Sequence, residues 1–186
     1  MPKDVIIACD FPSREETFSF LKQFKEDKPY IKIGMELFYS AGPDIVREAV
    51  ANGHKVFLDL KLHDIPNTVR RSMKTLAALG ASMTNLHAAG GRAMMAAALE
   101  GLSEGASGPR PLLLAVTVLT SLSDEMLQNE LFIPKPATEL VPAWAANAQA
   151  AGLDGVVCSP LEAGLVKEKC DPGFLTVTPG IRYLSG

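Results

Sequence analysis

Seven short apolar runs, rich in β-branched residues, recur along the chain. They are VIIACD (5–10), YIKIG (30–34), KVFLDLK (55–61), SMTNLHA (82–88), LLLAVTVLT (112–120), GVVCS (155–159) and FLTVT (174–178). Each has the length of a strand. Between them lie stretches with helical periodicity, among them EETFSFLKQF, PDIVREAVANG, NTVRRSMKTLAALG and ELVPAWAANAQAAG. Gly53, Gly80 and Gly152 stand where three of these helices should stop, as glycines that terminate helices do. Nearly continuous apolar strands alternating with helices predict a parallel sheet covered by helices.

The first four runs begin at residues 5, 30, 55 and 82, an even spacing with no residue-level repeat beneath it. Seven strands in this order predict a (β/α)8 TIM barrel, with a doubly wound open sheet as the alternative. A glycine-rich first turn would favour the open sheet, and the turn here, CDFPSREE, contains no glycine. The barrel is therefore the expected fold. The last residues, TPGIRYLSG, follow the seventh strand directly. The expectation is one barrel domain over 1–186 with its eighth strand and helix missing, because seven strands alone would leave two unpaired edges. A partner covering the gap is the weaker alternative.

Composition narrows the class. A chain of 186 residues can bury a sizeable core as one domain. A net charge of −3 offers no electrostatic grip on nucleic acid or an anionic membrane. The apolar stretch near the N-terminus runs straight into Asp10, unlike a secretory signal, and LLLAVTVL is far short of the roughly 20 residues of a membrane span. Cys9, Cys158 and Cys170 form no CxxC pair, and the first two sit in apolar strands. Buried, reduced thiols in a cytoplasmic protein are expected.

The third run ends unusually. DLKLHDIPNT (59–68) places Asp59, Lys61 and Asp64 at and just after the end of a strand that should be buried. Strand alternation puts Asp59 and Lys61 on one face and Leu58, Leu60 and Leu62 on the other. The leucines pack under helices, so the charges turn inward at the C-terminal rim, where barrel enzymes assemble their sites. Asp10 closes the first strand, Lys32 lies in the second and Thr120 ends the fifth. Taken singly, an Asp-x-Lys pair is most often structural, Lys32 can snorkel and Asp64 can cap the next helix. His63 reads as a loop residue, and His87 as a hydrogen-bonded histidine at a strand end. Together, Asp10, Lys32, Asp59, Lys61 and Asp64 make an alternating array whose desolvation cost points to function.

DLKLHDIPNT closely resembles the signature of the orotidine 5′-phosphate decarboxylase family. ACDF (8–11), IKIGMELF (31–38), LHAAGG (86–91), AVTVLTS (115–121) and TPGIR (178–182) resemble further blocks of its bacterial branch, in family order. The resemblance spans essentially the whole chain. D-x-K-x-x-D alone also occurs in sugar-phosphate relatives, whereas its continuation as I-P-N-T is far more specific.

The resemblance implies conversion of orotidine 5′-phosphate to uridine 5′-phosphate, the last step of UMP synthesis, without cofactor or metal. Lys61 would protonate C6 as carbon dioxide leaves, and Asp59 would face the substrate carboxylate. Lys32 and Asp10 would hold the ribose hydroxyls and complete the array. Asp64, Ile65 and Thr68 would reach into the partner's site of a homodimer. Thr120 would contact the pyrimidine edge, and Pro179 and Arg182, in TPGIR, would line the phosphate side. A glutamine and a Gly-Arg pair that complete phosphate binding in the family have no counterpart before Gly186. Two alternatives remain at this point: a magnesium-dependent sugar-phosphate decarboxylase or aldolase, and a non-catalytic truncated barrel that binds nucleotide.

Overall fold

The computed structural model describes residues 4–25 and 27–181. All seven expected strands form: β1 (Ile6–Ala8), β2 (Tyr30–Gly34), β3 (Val56–Leu62), β4 (Met83–His87), β5 (Leu112–Val116), β6 (Gly155–Val157) and β7 (Leu175–Val177). They make one parallel sheet in sequential order, each strand pairing with the next. A doubly wound sheet reverses its strand order at a switch point, and none occurs here. The open-sheet alternative falls on that observation.

The helices are α1 (Arg14–Leu21), α2 (Met35–Ala41), α3 (Asp44–Ala51), α4 (Pro66–Ala77), α5 (Gly91–Gly105), α6 (Asp124–Asn129), α7 (Ala137–Ala150) and α8 (Ala163–Lys169). Local chemistry sets several of their ends. Ser13 and Ser123 accept hydrogen bonds from the amides of Glu16 and Met126 at the starts of α1 and α6. Pro66 opens α4, where its missing N–H costs nothing. Gly53, Gly80 and Gly152 adopt φ of 89°, 83° and 86°, as expected after α3, α4 and α7.

The two faces of the sheet differ. Ile31, Ile33, Val56, Leu58, Leu86, Leu113 and Ala115 pack with helical residues in two apolar clusters. On the opposite face Phe57, Met83 and Leu114 pack with Ile6, Tyr30, Leu112, Val157, Leu175 and Val177, all of them strand residues. Leu114 is fully buried although no helix residue joins this cluster. The sheet therefore curls so that strands cover strands, as in TIM-like folds. Helix α5 lies directly on α4 because Gly101 and Gly105 carry no side chain. A Cβ there would stand 2.1 Å from the Arg70 carbonyl oxygen and 2.0 Å from that of Lys74.

Five strands, β1 and β4 to β7, are shorter than their apolar runs, and in two of them a site residue falls beyond the strand end. β1 ends at Ala8, so Asp10 lies two residues past its end. β5 ends at Val116, so Thr120 does not end the strand but stands in the exposed turn that follows. The strand ends at a long-range contact: the Thr117 amide and hydroxyl both donate to the Val157 carbonyl, at 3.1 Å and 2.9 Å, and regular pairing goes no further. No helix among the described residues is long and apolar enough to cross a membrane.

Candidate active site

Parallel register brings the charged residues together. Ala8 pairs with Lys32, Lys32 with Phe57, and Gly34 with Asp59, which steps the polar groups across three neighbouring strands at their C-terminal ends. Lys32 Nζ donates to Asp10 Oδ1 at 3.0 Å and lies 3.7 Å from Asp59 Oδ2. Lys61 Nζ donates to Asp59 Oδ1 at 2.7 Å. The order Asp10, Lys32, Asp59, Lys61 alternates in sign. It runs from an exposed carboxylate, 66% accessible at Asp10, to a buried one, 12% accessible at Asp59. Each inner ion thus has an opposite charge on either side, which offsets much of the cost of removing it from water.

Lys61 departs from simple strand alternation. Its φ is 51°, in the left-handed region where a non-glycine residue costs on the order of 1–3 kcal/mol. The β3–β4 pairing shifts at the same place. Leu58 pairs with Thr84 and Leu62 with Leu86, so the span from 58 to 62 on β3 faces only the span from 84 to 86 on β4. The bulge re-aims Lys61. Asn85, fully buried, fills the gap: its Oδ1 accepts from the Lys61 amide at 2.8 Å, and its Nδ2 donates to Asp59 Oδ1 at 2.6 Å. The sequence reading missed Asn85. Its signal was a lone amide inside the apolar run SMTNLHA, on the inward-facing phase of that strand.

Histidines flank the lysine. His87 ends β4, with its ring centroid 5.5 Å from that of His63. Burial pushes its pKa below the ordinary 6.5, and the neighbouring His63 and Lys61 lower it further against an opposing pull from Asp59. Beneath the array, burial and the adjacent Asp10 raise the Cys9 thiol to about 11. Cys9 is therefore a protonated core side chain at neutral pH, and Cys158 and Cys170 are likewise buried and free.

A model of the "Orotidine 5'-phosphate decarboxylase / HUMPS family" matches residues 3–186. The chain belongs to this family. It is 54% identical over 180 residues to the orotidine 5′-phosphate decarboxylase of Geobacillus thermodenitrificans, covering 96% of this chain and 75% of that protein. It is 50% identical to the Bacillus cereus enzyme of the same name, covering 100% of this chain and 79% of the other. A crystal structure of orotidine 5′-phosphate decarboxylase from Lactobacillus acidophilus superposes with a TM-score of 0.93 at 44% identity, over 97% of this chain and 82% of that one. The expected family relationship is thereby established.

Within this family member the other expected site residues stand apart from the array. Asp64 Oδ1 accepts from the Ile65 amide at 2.6 Å, and none of the ion pairs among the described residues includes Asp64. It does not cap α4; Ile65 holds the capping position without a side-chain hydrogen bond. Asp64, Ile65 and Thr68 are all exposed on the β3–α4 connection and the first turn of α4. Beside them an open groove of about 500 Å³ runs past Lys61, lined by Phe38, Tyr39, Leu62, His63 and Leu76. Thr120 and Pro179 lie exposed on loops after β5 and β7, at the same end of the sheet. Arg182 lies outside the described residues.

Proposed function

We propose that the chain decarboxylates orotidine 5′-phosphate to uridine 5′-phosphate, with Lys61 as proton donor. The observation that carries the reading is the alternating Asp10–Lys32–Asp59–Lys61 array at the C-terminal rim, in a member of a family whose relatives bear this activity as their name. Those names leave the magnesium-dependent sugar-phosphate reading and the non-catalytic reading without support.

The bond between C6 of the pyrimidine and its carboxylate carbon breaks, carbon dioxide departs, and the electron pair stays on C6 in the ring plane. No adjacent π system absorbs that pair. An ammonium fixed against C6 stabilises the developing anion and then transfers a proton to it, and solvent restores the proton to Lys61. Preorganisation is the main contribution, because the ammonium is already held at 2.7 Å from Asp59 before any charge develops. Asp59 faces the leaving carboxylate, and Lys32 with Asp10 holds the ribose hydroxyls. Thr120 contacts the pyrimidine edge, and Pro179 and Arg182 line the phosphate side. Phosphate contacts remote from C6 supply binding energy for organising the site. No step uses a metal or cofactor.

Asp64, Ile65 and Thr68 serve the site of a second copy in a homodimer. The support is their joint exposure at the rim, with Ile65 66% and the nearby Tyr39 72% accessible. In the same reading residues 1–186 belong to one (β/α)8 barrel domain, and the seven parallel strands are seven of its eight. The sequential strand order and the greater length of the named relatives support it. A cytoplasmic setting accords with three free, buried thiols.

The test is the absorbance of orotidine 5′-phosphate incubated with the chain in EDTA. Loss of the orotate band is the expected result. Turnover that disappears with EDTA and returns with magnesium would overturn the metal-free mechanism.

A further inference from the structure

We infer that Asn85 is a positioning residue that holds both partners of the Asp59–Lys61 pair. One amide makes both bonds, and its two ends cannot be exchanged. The Lys61 backbone N–H can only donate, so it requires the amide oxygen. The Asp59 carboxylate accepts, so it takes the amide nitrogen. The distances are 2.8 Å and 2.6 Å.

The bulge explains why a side chain is needed here. Between the Leu58–Thr84 and Leu62–Leu86 pairs, β3 has more residues than β4 can pair. Lys61 would lose its ladder acceptor, and a buried, unmatched N–H is costly. Asn85 replaces the missing carbonyl with its own side chain and so supports the φ of 51° that turns the Lys61 side chain toward Asp59. Its nitrogen then shares Asp59 Oδ1 with Lys61 Nζ, fixing the carboxylate on the lysine side. Asn85 is fully buried, so both bonds are made out of reach of bulk solvent. Thr84, next to it, braces the same region from the other face, its hydroxyl donating to the Leu58 carbonyl at 3.0 Å.

Other side chains fail for definite reasons. Alanine loses both bonds, and glutamine is one methylene too long for a filled site. Aspartate matches the shape but places a second carboxylate against Asp59. When the introduced carboxyl is protonated it donates to Asp59 and still accepts from the Lys61 amide. When it ionises, the two carboxylates repel and the arrangement is lost.

The kinetic part of this inference rests on the proposed decarboxylation; the geometric part does not. The experiment therefore has two readouts on the wild-type chain, Asn85→Ala and Asn85→Asp. The first is hydrogen exchange at the Lys61 amide, measured by NMR. In Asn85→Ala it should accelerate by about tenfold or more, while Val56 and Leu58 in the same strand keep their protection. Unchanged exchange at Lys61 would overturn the assignment. The second is turnover of orotidine 5′-phosphate between pH 5.5 and 8.5, with the folded fraction followed by circular dichroism. Asn85→Ala should lose about tenfold or more in kcat with KM little changed. Asn85→Asp should approach wild-type kcat at the acid end and fall away from it as pH rises. A loss in Asn85→Asp that is equal at every pH, or that tracks the folded fraction, would reduce Asn85 to a structural residue. If Asn85→Ala does not fold, Asn85→Asp carries the kinetic readout, and Asn85→Leu, which fills the site without either hydrogen bond, carries the exchange readout. A wild-type chain without turnover would refute the decarboxylase reading, and the Lys61 exchange rate would still decide the role of Asn85.

Discussion

The Lys61 ammonium lies 2.7 Å from the Asp59 carboxylate although the backbone turns left-handed at Lys61 itself. Strand alternation alone would put the two residues on one face, but the bulge and the positive φ aim the lysine. The site therefore stores backbone strain in the residue assigned to proton transfer, and this separates the catalytic from the conformational role of position 61.

Lys61→Ala should remove the proton donor and lower kcat by at least about a thousandfold, with the fold retained. Lys61→Gly should be equally inactive but more stable than Lys61→Ala by about 1 kcal/mol, since glycine adopts φ of 51° without a Cβ penalty. Urea denaturation midpoints of the two variants, beside turnover assays, check both statements. Near-normal turnover in either variant would sink the assignment of Lys61.

Asp59 stands between two lysines, 2.7 Å from Lys61 and 3.7 Å from Lys32. Asp59→Ala leaves two partly buried ammonium groups facing each other and should cost about 2 kcal/mol of stability, together with most of the activity. Double-mutant cycles with Lys32→Met and Lys61→Met measure the coupling. Additive effects would show that the array is not a unit.

Burial lowers the His87 pKa, so the folded protein binds that proton less readily than the unfolded chain does. Its contribution to stability is intact above pH 6.5 and is lost as pH falls through and below that value. His87→Gln should flatten the decline of stability between pH 7 and pH 5.5. Urea melts across that range in both proteins provide the comparison, and identical slopes would remove His87 as the cause.

Gly101→Ala drives a methyl group toward the Arg70 carbonyl oxygen and forces α5 away from α4. Overpacking of this kind costs about 1–3 kcal/mol. Thermal denaturation should show the loss, whereas Gly108→Ala, which meets no atom within 4 Å, should be close to neutral.

The run of apolar segments was enough to place all seven strands among the described residues, because a strand that packs helices on one face and other strands on the opposite face needs apolar residues on both. Helix ends at Gly53, Gly80 and Gly152 were equally legible, since left-handed backbone favours glycine locally. Strand ends were less so. The fifth apolar run continues past Val116, but pairing stops where Thr117 bonds to the Val157 carbonyl, a contact made 40 residues away.

The site divides in the same way. Asp59, Lys61 and Asp64 are close in the chain, so their charge pattern is a property of the sequence itself, and DLKLHDIPNT displays it directly. Which of them touch is a tertiary matter. Parallel register sets Lys32 beside Asp59, with Asp10 paired to the same lysine, while the chain carries Asp64 out to an exposed loop where it joins none of these ion pairs. Asn85 shows the limit most sharply. In sequence it is one polar residue in an apolar strand. Only the mismatch between β3 and β4 opens a gap that needs both a donor and an acceptor, and a mismatch between two strands belongs to neither segment alone.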